Sequence, residues 1–263
     1  MIRNDFALRG RTFLAACTLL FIASAIVTVH LCMSMSGGMP MAGGWMMSMA
    51  WMRMPGQTWI GAAASFLGMW VVMMVAMMLP SLIPMLQRYR QAIGGAGETH
   101  LGRNTVVVGL GYFFVWTLFG VAAYLLCIAL TTVVMQQLAL ARAVPLAAGL
   151  VVLIAGSFQF TRCKARHLAC CNHEPGSDRA LATDASTAWR HGLRLGFHCS
   201  VCCAGLMAIL LVIGIMDLRA MAVVATMITV ERLASASDRA TRLVGTVVIG
   251  TGLLLIARAA GLG

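Results

Sequence analysis

The sequence predicts an all-α fold, a polytopic transmembrane bundle of about seven helices, and three observations lead there. Of 263 residues, 60% are hydrophobic and 10% charged, where soluble domains run roughly 45–50% apolar and about 25% charged. Apolar runs near the ~20 residues that a bilayer-spanning helix requires follow one another with short polar breaks. Basic residues collect in alternate breaks, the pattern of the positive-inside rule. A soluble nucleotide-binding enzyme and a secreted disulfide scaffold are both excluded.

Runs bounded by charge, Gly or Pro place the helices near 12–33, 62–83, 105–130, 143–160, 195–216, 219–233 and 243–260. The first follows Arg3, Arg9 and Arg11. Its Ala23-Ser24-Ala25 imitates a cleavage site, but apolar sequence continues well past it, so an uncleaved helix is expected. The second carries Pro80, which removes a backbone donor, and a break in the helix is expected there. The sixth run, of about 15 residues, rises only ~22 Å against a hydrocarbon core of ~30 Å. It is counted as spanning because Arg232, Arg239 and Arg242 would otherwise all lie outside.

With the N-terminus cytoplasmic and the C-terminus outside, 15 Lys and Arg fall on inner segments and 4 on outer ones. The net charge of +11 thus reports orientation and contact with the headgroups of the lipid bilayer. No nucleic-acid partner is expected. Residues 1–263 form one integral membrane domain, with a Met-rich outer loop at 33–58, a basic connector at 87–104 and a Cys/His-containing cytoplasmic loop at 161–194.

Six of the nine cysteines lie between Cys163 and Cys203. On the cytoplasmic side thiols stay reduced, so metal binding or thiol redox chemistry is the expected use rather than a disulfide framework. Cys199-Ser-Val-Cys202-Cys203 has i, i+3, i+4 spacing and shares one helical face, which Met207 extends by a turn. His167-Leu-Ala-Cys170-Cys171 repeats that spacing upstream. The two half-sites are expected to combine, with His167, Cys171, Cys199 and Cys202 or Cys203 as ligands of a single metal. A closed Cys/His set of four suits Zn²⁺; two or three thiolates suit Cu⁺. Arg162, Lys164 and Arg166 beside the first half-site would favour thiolate. Cys17 and Cys127 stand alone in apolar runs and read as packing.

Nine methionines lie between Met33 and Met54. Met33/Met35, Met39/Met41, Met47/Met49 and Met52/Met54 form Met-x-Met pairs, and thioethers select Cu⁺ over hard cations. Metal capture is one reading of this loop; the other is a lipid-hugging segment with Trp45 and Trp51 at the interface. In the second helix Met69, Met73 and Met77 form an i, i+4, i+8 stripe beside Met74 and Met78, either core packing or a soft-metal path. Glu231 either pairs with Arg232 or faces the cysteines.

The segments Met73-Met74-Val-Ala-Met77-Met78-Leu-Pro80, Lys164-Ala-Arg-His167-Leu-Ala-Cys170-Cys171 and Gly196-Phe-His-Cys199-Ser-Val-Cys202-Cys203-Ala-Gly-Leu-Met207 through Glu231 resemble the bacterial predicted metal-binding integral membrane proteins of unknown function. The resemblance covers roughly residues 60–233. His167 occupies a place usually taken by Cys, which preserves a ligand, and Ala204 a place where Trp is common. It implies metal binding in a bacterial inner membrane, without an established reaction. The function expected is copper handling, with copper(I) favoured over zinc, through the Cys/His site and the Met-rich loop, and with a metal chaperone or membrane-complex subunit as partner. A membrane thiol oxidoreductase and a structural or assembly subunit are the alternatives. The sequence shows no nucleotide loop, paired carboxylates or Ser/His/Asp arrangement, and a non-enzymatic role is expected.

Overall fold

Long apolar runs leave the backbone no partner but itself within a bilayer, and nearly all of this chain is helical. The computed structural model describes residues 2–34, 37–41, 44–48, 56–94, 100–172, 184–234 and 237–261, with 2–9, 94, 171–172 and 237–238 described by backbone alone. The order is α1 (Ile2–Ser34), β1 (Gly38–Pro40), β2 (Met46–Ser48), α2 (Trp59–Gly94), α3 (Leu101–Gln136), α4 (Leu138–Phe158), α5 (Arg162–Asn172), α6 (Ala185–Ile213), α7 (Leu218–Leu233) and α8 (Ser237–Ala259).

The all-α polytopic bundle is as expected, and the helix count differs in an instructive way. Six segments are long and apolar enough to cross a membrane: Gly10–Ser34, Trp59–Ile93, Leu101–Gln136, Leu138–Phe158, Ala185–Ile213 and Arg239–Ala259. The short sixth apolar run is α7, whose 16 residues rise ~24 Å. Its first turn lines a cleft with Cys32 of α1, and its last turn pairs with Lys164 of α5. It therefore connects the two ends of the bundle despite its length. The additional helix, α5, falls inside the segment read as a loop at 161–194.

Helix α3 packs on α6, α4 on α8, α2 on α3 and α1 on α2. The α3–α6 crossing is parallel and close. A Cβ on Gly196 would stand 2.8 Å from the Tyr112 carbonyl oxygen, and one on Gly192 nearer still to that of Val108. Small residues let membrane helices approach backbone to backbone. Gly192, Gly196 and Cys199 follow i, i+4, i+7, so the same face that makes the crossing presents Cys199 to α3. Between the antiparallel α2 and α3, Trp70 Nε1 donates to the Trp116 carbonyl at 2.9 Å, and Phe66 stacks on Tyr124.

Helix α2 runs unbroken through Pro80 and Pro84, contrary to the break expected at Pro80. Packing against α3, α1 and α7 holds it, and the Ser81 hydroxyl donates to the Met78 carbonyl at 2.9 Å. Membrane helices tolerate proline where neighbouring helices support the backbone. Large apolar side chains such as Leu19, Ile26, Leu110, Leu126 and Leu253 face outward, as a lipid-facing surface requires. Asp217 caps α7 by accepting from the N–H groups of Arg219 and Ala220.

Candidate metal centre

The α3–α6 crossing carries the thiols of α6 into the core. Cys199, Cys202 and Cys203 are 0%, 3% and 2% exposed. The Cys202 and Cys203 sulfurs lie 3.7 Å apart, and Cys199 Sγ is 2.8 Å from the Tyr112 hydroxyl. Met73, Met74, Met77 and Met78 of α2 and Met207 of α6 belong to the same contiguous buried core. The stripe read in the second helix is thus internal.

Arg232 ties these elements together. One terminal nitrogen donates to Ser81 Oγ at 3.2 Å and the other lies 3.7 Å from Cys202 Sγ. Ser81, one turn past Met77 and Met78, is therefore linked to Cys202 through one guanidinium. Glu231 does not pair with Arg232. Its Oε2 accepts from Lys164 Nζ at 2.6 Å, with both side chains buried, and Lys164 also donates to Gln159 Oε1. Glu231 Oε1 and Gln159 Nε2 have no partner among the described residues.

The upstream half-site is arranged differently. His167 is half-buried, and its Nδ1 stands 2.8 Å from Nδ1 of His198. One ring must carry the proton there and the other accept it. Since His198 adjoins Cys199 in the chain, α5 is fastened beside the thiol cluster. Cys163 and Cys170 are exposed, and the side chain of Cys171 lies outside the described residues. Among the described residues, no three Cys, His, Asp or Glu side chains stand in a metal-holding arrangement. The expected four-ligand set is not assembled there.

In the Met-rich segment β1 and β2 form an antiparallel hairpin that pairs Met39 with Met47. Trp45 Nε1 donates to the Ala141 carbonyl of α4 at 2.9 Å. Met33 and Met39 are exposed, Met41 half-buried and Met47 buried. Met35, Met49, Met52 and Met54, with Trp51, lie outside the described residues.

Tyr112, His198 and the true partner of Glu231 were missed in the sequence. The last had a usable signal. A carboxylate in an apolar helix needs a buried cation, and residues at i and i+1 do not face each other. Arg232 was therefore a poor partner, and a cation from another inner segment had to be sought, Lys164 being one of several candidates.

No curated protein and no solved structure matches the chain. A family model described as PpoB2, copper chaperone, matches residues 67–255. The matched span runs from Leu67 in α2 into α8 and takes in the three buried thiols, the α2 methionines, Lys164, Glu231 and Arg232, leaving out the Met-rich segment. Since it covers well over half of the 263 residues, the chain belongs to the PpoB2 copper chaperone family.

Proposed function

We propose that the chain is a multi-pass membrane copper chaperone that holds Cu⁺ on the thiols of Cys199, Cys202 and Cys203. In this reading it lies in a bacterial inner membrane with its N-terminus cytoplasmic and its C-terminus outside. The observation that carries the proposal is three thiols on one helical face, fully inside a core rich in methionine thioethers. Thiolates and thioethers are soft and favour Cu⁺; Zn²⁺ prefers imidazole or carboxylate to thioether.

Charge supports the same ligand. Lys164 and Arg232 are buried cations and Glu231 a buried anion, which leaves one positive charge in the core. Cu⁺ held by two thiolates and one protonated thiol carries one negative charge, and the loaded centre is then neutral. A buried uncompensated charge costs several kcal/mol, so the site's fixed charges favour the loaded state. His167 and His198 beside the buried centre, together with Cys170 and Cys171 of the same cytoplasmic Cys/His motif, serve as the place where copper is exchanged with a metal chaperone or a membrane-complex subunit. Thioethers of the Met-rich segment collect or release it on the other side.

Elemental analysis of the protein purified in mild detergent tests this reading. The wild type should retain at least one equivalent of copper after a copper(I) load, and Cys199→Ser or Cys202→Ser should retain about one equivalent less. Equal copper in all three overturns the proposal. A mixed disulfide trapped on these cysteines without bound metal would point to thiol exchange instead.

A further inference from the structure

The hairpin end of the bundle holds a second concentration of sulfur, remote from the buried thiols. A cleft of about 660 Å³ lies between the end of α1, the β1–β2 hairpin and the α6–α7 turn. Three separate segments line it with sulfur: Cys32 and Met33, Met46 and Met47, and Met216. Met33 and Met46 are 69% and 62% exposed, whereas Cys32 and Met47 are 3% exposed each. Opposite exposure of Met46 and Met47 follows from the two-residue period of a strand. The cleft therefore has thioethers at its mouth and a thiol with a thioether at its wall.

Hard donors are few there. Asp217 is the one carboxylate in the lining among the described residues, and its Oδ1 accepts from the Arg219 and Ala220 N–H groups at 2.8 and 3.1 Å. Among the described residues no histidine lines the cleft. The hairpin is tied to α4 by the Trp45 bond, so its two methionines sit on a supported wall. We infer that this cleft is a second binding site, specific for a soft monovalent cation such as Cu⁺ or Ag⁺ and built from Cys32, Met33, Met46, Met47 and Met216. The inference deepens the copper-handling reading and rests on it for the identity of the cargo. The site assigns ligand roles to Cys32 and to Met216, which lies some 170 residues beyond the Met-rich segment.

The test uses the full chain in detergent, with Ag⁺ titrated against a competing chelator. Cys199→Ser, Cys202→Ser and Cys203→Ser combined remove the thiol centre, and one tightly held Ag⁺ should remain. Adding Met47→Leu with Met216→Leu should weaken that Ag⁺ at least tenfold, and Cys32→Ser should do the same separately. Leucine preserves the side-chain volume, so unchanged thermal unfolding of the leucine variant separates lost binding from lost fold. The site is refuted if the triple serine background binds no Ag⁺, or if its remaining Ag⁺ is indifferent to the cleft substitutions. Zn²⁺ bound there as tightly as Ag⁺ would also overturn it. A triple serine variant that binds as many Ag⁺ as the wild type, with one equivalent sensitive to the cleft substitutions, would defeat the thiol-centre reading and leave the cleft standing.

Discussion

Lys164 and Glu231 form an ion pair that neither solvent nor headgroups can replace. Removing one partner of such a pair strands the other charge, at about 3–5 kcal/mol, whereas apolar replacement of both is far milder. Glu231→Gln should therefore lower the thermal midpoint in detergent sharply, and Lys164→Met with Glu231→Leu should recover most of the loss. A double-mutant cycle by thermal unfolding measures this. Arg232 acts on the metal. Arg232→Met should weaken Cu⁺ binding at least tenfold by leaving the core with one positive charge fewer, and Arg232→Lys should restore part of the affinity, as chelator competition would show. Asp184 offers a pH test outside the bundle. It caps α6 by accepting from the Ser186 hydroxyl and N–H, and these bonds hold its carboxyl below the ordinary value of 3.8. The cap is thus fully present above pH 3.8 and is lost as pH falls through the lowered folded value. Hydrogen exchange in the first turn of α6 should accelerate only in that acid range, and Asp184→Ala should remove the dependence.

Helix α6 does most to place the site, through its glycines. Gly196→Leu would push α6 from α3 by the width of a side chain and part Cys199 from Tyr112. Metal binding and thermal stability should both fall, while Pro80→Ala, in a helix that already runs straight through, should change neither by much. Comparing the two variants by copper content and unfolding checks the claim. At this scale the sequence was most legible where one periodicity governs: the apolar runs, the i, i+3, i+4 thiols and the internal Met stripe all follow from 3.6 residues per turn. It was least legible at helix ends. Hydropathy stops at the first charges, yet α2 continues through Arg88 and Arg90 to Gly94, and α6 begins at Ala185, ten residues before its apolar run. Helix α5 escaped because its mean composition is polar, although Lys164 and Leu168 on one face are buried. Pro80 misled because local backbone chemistry cannot tell whether neighbours will hold a helix together.

Across the whole molecule, two sulfur-rich regions occupy opposite ends of α7. Its first turn meets the cleft of Cys32 and Met216, and its last turn carries Glu231 and Arg232 into the thiol centre. Proximity between segments far apart in the chain, such as the bond from Arg232 to Ser81 or the cleft that Cys32 and Met216 both line, has no signature in local spacing, and only the packed bundle reveals it. Copper absorption spectroscopy on the full chain carrying Cys32→Ser, Met47→Leu and Met216→Leu, loaded with one equivalent of Cu⁺, tests the central claim most directly. A first shell made of sulfur alone, lost in Cys199→Ser with Cys202→Ser, is the predicted result. A shell dominated by nitrogen or oxygen and unchanged in that double variant would contradict it.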